Sequence, residues 1–290
     1  MIENKTALRG DGWTTRLTAS SSAGAARYPW DGLDRRTMPG FWLFASLGKR
    51  VLRPGGIALT KWMLEALSIG PEDDVVEYAP GMGVTARLTL ARNPRSYAAV
   101  ERDARAVALL RNYFNGAAGR CCLHGDAVDP LPFADGSATV VYGESMLTIH
   151  PDDDKERILR EVYRVLRPGG RFAMQEISIL PENTPAELGE RIRRELVRAV
   201  CHPARPQTTV RWREVLEERG FTVMAEAKRP VHLLEPCRLL EDEGAEEAIG
   251  FLANTLMDPV ASDRVRRIRA LFERYGDHLC GYCCVCRKPE

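Results

Sequence analysis

Short β-rich runs and helical segments alternate through the middle of this chain, and that rhythm restricts its fold more than any other feature. The runs are DVVEY at 74–78, SYAAVE at 96–101, RCCLH at 120–124, ATVVY at 138–142 and RFAMQEI at 171–177. Helical segments at about 84–92, 103–115 and 153–166 lie between them. Strands that alternate with helices form a parallel sheet covered on both faces, so the pattern predicts an α/β, doubly wound architecture. The helix at 153–166 is the clearest. Ile158, Leu159, Val162, Val165 and Leu166 fall on one side, Asp152, Asp153 and Asp154 mark its start, and the Pro168-Gly169-Gly170 turn stops it.

Flanking segments follow a different pattern. Residues 1–40, rich in small and polar residues around Tyr28, Pro29 and Trp30, read as an arm, partly mobile or part of a substrate cover. Residues 41–290 read as one domain. Phe41, Leu43, Phe44 and Leu47 recur at helical spacing, "RPGG" at 53–56 breaks the pattern, and Ile57, Leu59, Trp62, Met63 and Leu67 give a second buried helical face. After residue 178 come helical insertions at about 181–210 and 231–276, a strand at "TVMAEAKRP", and a last strand at about 279–287. Trp212, Phe251 and Met257 are expected in the core.

Composition narrows the function. With 41 basic and 40 acidic residues the formal net charge is +1, without the basic excess of a nucleic-acid binder. No run approaches the ~18 consecutive apolar residues of a membrane helix. The N-terminus lacks a charged-then-apolar signal pattern, so a cytoplasmic protein is expected. Eight cysteines include Cys280, Cys283, Cys284 and Cys286 in "HLCGYCCVCRK", which reads as an apolar strand of reduced, buried thiols and not as a metal site. Cys201 and Cys237 lie in the insertions and keep a thiol-held metalloid substrate in view. Oligomeric state is not readable.

The chemistry gathers at strand ends. "VVEYAPGMGVTA" at 75–86 carries a strand into Ala79-Pro80-Gly81-Met82-Gly83 and on into a helix, a turn whose glycines let a ligand approach the main chain. Twenty residues past Gly81, Glu101 closes the next strand, where an acid can accept both hydroxyls of a ribose. Asp126 and Ala127 follow the third strand, placed to read an adenine edge.

These motifs, with "HGDAVDPLPF", "ATVVYGES" and "EVYRVLRPGGRFAMQE" in order, make the chain resemble class I S-adenosylmethionine-dependent methyltransferases over roughly residues 57–228. The resemblance implies a mostly parallel, seven-stranded Rossmann-like sheet with an antiparallel last strand and helical cap insertions. It also implies S-adenosyl-L-methionine as cofactor, S-adenosyl-L-homocysteine as product and a small-molecule acceptor. Glu77, Gly81 and Gly83 would frame the methionine part, with Ala79 and Arg102 also cofactor-binding; Glu101 would hold the ribose, and Asp126 with Ala127 the adenine. Gly143, Glu144 and Ser145 would lie near the methyl group. Ala79 departs from the family, which has glycine there.

Base candidates are His150, six residues past Glu144, which reads equally as a helix-start histidine capped by "PDDD", with Glu144 itself and, more weakly, His202; His124 reads as structural. Methyl transfer to an O, N, C or S acceptor, a non-methylating reaction such as cyclisation on the same fold, and a non-catalytic assembly role all fit these motifs.

Overall fold

The computed structural model describes residues 28–290, so residues 1–27 of the expected arm lie outside the described residues. Eight strands form one sheet: β1 (Asp74–Tyr78), β2 (Ser96–Glu101), β3 (Arg120–His124), β4 (Ala138–Glu144), β5 (Leu166–Ile179), β6 (Gln207–Thr208), β7 (Thr222–Pro230) and β8 (Leu279–Arg287). The order is β3-β2-β1-β4-β5-β8-β7, with the two-residue β6 beside β5. Strand β8 alone runs antiparallel, to both β5 and β7. The expected seven strands are therefore present, and β6 adds a short eighth. Strand order reverses between β1 and β4, and the diverging connections leave a crevice beyond their carboxyl ends.

Helices cover both faces. On one lie α5 (Asp152–Val165) and α7 (Thr209–Glu218), which bury Ile158, Leu159, Val162, Trp212 and Leu216 against the sheet. On the other lie α2 (Gly56–Leu67), α3 (Val84–Leu90) and α4 (Ala104–Phe114), contributing Leu59, Met63, Leu90, Val107 and Leu110. Each such aliphatic side chain contributes ~1.5–3 kcal/mol when fully buried, so the stripe read at 158–165 is enough to fix α5 on the sheet. Three acids in the first turn of α5 also complement its dipole.

A cap of α1 (Gly40–Ser46), α6 (Ala186–Val200), α8 (Pro236–Glu243), α9 (Ala245–Met257) and α10 (Pro259–Arg274) packs around Leu43, Phe44, Phe251 and Ile268. Lys49 holds α8 from beneath, 3.3 Å from Asp242 and 3.1 Å from Glu243, with all three side chains fully buried.

Two sequence expectations change. Met257 is 84% exposed at the end of α9 and belongs to no core, although Trp212 and Phe251 are buried as expected. Strand β5 begins at Leu166, not 171. "RPGG" does turn away from β4, since Ala138 pairs with Leu166 and Val140 with Arg171, but Gly169 N–H donates to Lys288 O and Lys288 N–H to Gly170 O, each at 2.9 Å, so the turn stays tied to the last strand. Burial pushes the Cys122 and Cys284 thiols up to about 12, in keeping with packed, unreactive sulfurs.

Candidate active site

A cavity of about 560 Å³ opens at the carboxyl ends of β1 to β4, at the point where strand order reverses. Its first wall is the turn after β1. Ala79 takes φ +50°, a left-handed conformation costing an L-residue ~1–2 kcal/mol, and donates its N–H to Val100 O at 2.8 Å. Gly81, at φ +53°, has open space where a Cβ would stand. Gly83, at φ +75°, would place a Cβ 2.6 Å from Leu110, so it serves the packing of α3 on α4 and does not line the cavity. Gly143 is likewise behind the wall, fitted between Met146 and Tyr78. The remaining cofactor candidates, Glu77, Ala79, Gly81, Glu101, Arg102 and Asp126, line the cavity, as do Ala127, Glu144 and Ser145.

The carboxylates differ in their partners. Glu101 Oε2 accepts from Gly81 N–H at 3.1 Å and Oε1 from Asp103 N–H at 2.9 Å, so one side chain ties the glycine turn to the end of β2. Burial raises its pKa, and the two amides oppose that shift. Glu77 Oε2 accepts from Tyr97 at 2.5 Å and Tyr142 at 2.6 Å; burial pushes its carboxyl up to about 7. Glu144 accepts from Thr60 Oγ1 at 2.6 Å and also from Thr85 and Gln175, with Arg53 Nε 3.4 Å away. Its acceptor positions are thus engaged within the protein.

Downstream of β4, Glu176 shapes the loop that follows. Its carboxylate accepts the N–H groups of Met146, Leu147 and Thr148 at 3.0, 2.8 and 3.1 Å. That grip holds Ser145 at φ +56°, with its hydroxyl buried and unpartnered. A smaller apolar chamber of about 140 Å³ adjoins here, walled by Phe44, Leu196, Val231, Ile268 and Phe272. Ser145, Ile149, Phe41, Leu52 and His202 line both spaces.

His150 and His202 also face the main cavity. Burial lowers the pKa of His150, and it lowers that of His202 to about 4 with the Arg102 charge adding to the effect. Arg102 Nη2 lies 3.4 Å from His202 Nε2. His124 turns away and pairs with Arg102 O at 3.0 Å. His150 is not held by the acids of α5: it closes a turn on Leu147 O, and Pro151 precedes the helix without a side-chain cap.

Sequence reasoning missed Arg53, Thr60, Thr85 and Gln175, the group around Glu144. One signal was available. Gly55 and Gly56 in "RPGG" leave no room for a Cβ beside Gln175 and Arg238, so the motif is a close-packed corner and not only a helix break. Cys201 lies outside the cavity and Cys237 is exposed on α8, so the thiols do not converge on it. Among the described residues no group of three His, Cys, Asp or Glu is placed to hold a metal ion. Nor is any helix there long and apolar enough to cross a membrane.

Residues 76–174 match the model of a methyltransferase domain. An uncharacterized protein of Haemophilus influenzae is 27% identical over 247 residues, 83% of this chain and 94% of that one. An arsenite methyltransferase of Halobacterium salinarum is 32% identical over 132 residues, 45% of this chain but 27% of its own length. Among solved structures, the phosphoethanolamine N-methyltransferase 2 of Haemonchus contortus, in complex with S-adenosyl-L-methionine, superposes with a TM-score of 0.67 at 16% identity, covering 92% of this chain and 61% of that one. The [4+2]-cyclase SpnF superposes at 0.59 with 18% identity, covering 80% of each chain. Residues 76–174 thus match a methyltransferase domain, and the strand order with its antiparallel β8 is the fold that these solved structures share.

Proposed function

We propose that the chain binds S-adenosylmethionine in the larger cavity and moves its methyl group to a small acceptor held in the apolar chamber. The observation that carries this reading is the junction at Ser145, where a space lined by Glu77, Glu101 and Asp126 meets a smaller apolar one. The residues present fit the cofactor. Open space over Gly81 accepts a close-lying ligand, Glu101 stands at the β2 end where a ribose would be held, and Glu77 supplies negative charge for an ammonium.

When bound, the cofactor supplies an electrophilic methyl on a sulfonium. The chain's own residues do the rest. The glycine turn and Glu101 orient the nucleoside, Ile149 and Phe41 exclude water at the junction, and Ser145 positions the acceptor. His150, neutral at pH 7 because burial lowers its pKa, holds the proton of an acceptor that must lose one. Glu144 is a positioning group, since its oxygens are already engaged.

Calorimetry with S-adenosyl-L-homocysteine tests the cofactor site. Binding is expected, and Glu101→Ala should weaken it about 10- to 100-fold, the range of one or two charge-assisted hydrogen bonds. Absence of binding to folded protein overturns the reading. Release of S-adenosyl-L-homocysteine with each acceptor turned over separates methyl transfer from a non-methylating reaction on the same fold.

A further inference from the structure

On the outer side of the cap, a separate pocket of about 320 Å³ lies between α6, α10 and the segment before α1. Its walls carry five arginines, Arg36, Arg198, Arg264, Arg267 and Arg274, against a single carboxylate, Glu195. Three of the five have acid partners. Arg274 pairs with Glu195 at 3.0 Å, Arg267 with Asp263 at 2.5 Å, and Arg36 with Asp34 at 3.7 Å. Arg198 and Arg264 form no ion pair among the described residues.

Arg264 is the unusual member. It is 3% exposed, and its Nη1 donates to Arg35 O at 2.9 Å and Met38 O at 2.8 Å. Its Nη2 is buried with no hydrogen-bond partner. Burial lowers its pKa, the charge of Arg267 lowers it further, and Cys201 and Asp34 oppose the shift without forming an ion pair. The Nη2 N–H groups of a buried guanidinium that lack an acceptor are suited to one that an oxyanion supplies.

We infer that this pocket is a binding site for a tetrahedral dianion of the phosphate class, held by Arg264 from within and Arg198 from the rim. Two guanidinium charges without acid partners select two negative charges over one. The arginines that already have partners supply further donors around the same space. Nothing in the methyl-transfer reading uses this pocket, yet the two are joined by the cap helices. Leu196 and Val200 of α6, with Ile268 and Phe272 of α10, wall the apolar chamber, while Arg198, Arg264 and Arg267 on the same helices face the anion pocket. A bound dianion therefore links α6, α10 and the chain before α1 across the back of the acceptor chamber.

Isothermal titration of the full chain with inorganic phosphate at constant ionic strength tests the site. Saturable binding is expected, with sulfate similar and acetate at least tenfold weaker. Arg198 and Arg267 are exposed, so Arg198→Ala and Arg267→Ala should fold normally, and each should weaken phosphate about tenfold, near the loss of one charge-assisted hydrogen bond. Arg264→Lys should weaken it further. Glycerol 3-phosphate binding as tightly as phosphate would assign the site to a phosphoryl group on a larger ligand; its exclusion would assign it to the free ion. No saturable phosphate binding, equal binding of acetate, or an affinity untouched by Arg198→Ala overturns the inference.

Discussion

Arg53 Nε stands 3.4 Å from Glu144 Oε2 at the cavity wall, with the two side chains only 10% and 8% exposed. The guanidinium also donates to Thr60 and Thr85, each at 2.8 Å, and both hydroxyls donate in turn to Glu144. A corner before α2, the first turn of α3 and the end of β4 are thereby locked by one network.

Removing one partner of that network strands a buried charge. Glu144→Ala is expected to cost about 3–5 kcal/mol in urea unfolding, and Arg53→Met a similar amount. The double variant should recover part of the loss, because neither charge is then left alone. If Glu144 acted instead as the catalytic base, Glu144→Gln would abolish turnover with stability unchanged.

The fold was legible in the sequence because its signals are local and repeated. Five β-rich runs, the Asp152–Asp154 helix start and the glycine turn each follow from residues close in sequence. Glu101 and Asp126 were legible for the same reason, as each sits at a strand end. The Glu144 network was not. Arg53 and Thr60 are far in sequence from Thr85, Glu144 and Gln175, and only the packing of α2 and α3 against β4 and β5 brings their polar atoms together. Met257 was misread because an apolar residue near the end of a helix carries no mark of which face it occupies, and here that face is solvent.

Glu77 makes the stability of the unliganded chain depend on pH. Its carboxyl is raised from 4.5 to about 7 by burial, so the folded state binds the proton more tightly than the unfolded state. Stability is therefore greatest below 4.5 with respect to this group and falls as pH rises through 7. The loss is of order 3 kcal/mol, at about 1.4 kcal/mol for each unit between those values. Glu77→Gln keeps an oxygen for Tyr97 and Tyr142 but cannot ionise, so its stability relative to the parent should rise over that interval in denaturant titrations. The ionised form should favour a cationic ligand, so cofactor affinity should rise with pH in the parent and stay flat in Glu77→Gln. A parallel pH dependence of the two proteins would reject the assignment.

His150 and His202 can be told apart by their neighbours. Arg102 lies against His202 Nε2 at 3.4 Å, whereas His150 makes no side-chain hydrogen bond among the described residues and is free to accept a proton. His150→Ala is expected to lower kcat about 100-fold for a hydroxyl acceptor, within the usual range for loss of a general base. Because burial lowers the His150 pKa, the acid limb of the parent's kcat/KM profile should fall below pH 6.5. An unchanged kcat in the alanine variant, or a limb above 6.5, would remove His150 from the reaction.

Ser145 presents the sharpest separation of stability from function. Its hydroxyl is buried without a partner and its backbone sits at φ +56°, held there by Ser145 N–H donating to Gln175 O at 2.8 Å and by the grip of Glu176 on the next three amides. A structural serine would lose stability on truncation. Here Ser145→Ala removes an unsatisfied hydroxyl and breaks no intramolecular bond, so its unfolding free energy should be unchanged or higher by up to about 1 kcal/mol. Ser145→Gly should also relieve left-handed strain, offset by the greater entropy of a glycine in the unfolded chain. Both variants should bind S-adenosyl-L-homocysteine like the parent, yet raise the acceptor KM about tenfold, because the hydroxyl's partner belongs to the acceptor. A stability loss above 2 kcal/mol in the alanine variant, or an unchanged KM, would show that the hydroxyl does not serve the acceptor and that the apolar chamber is bounded without it.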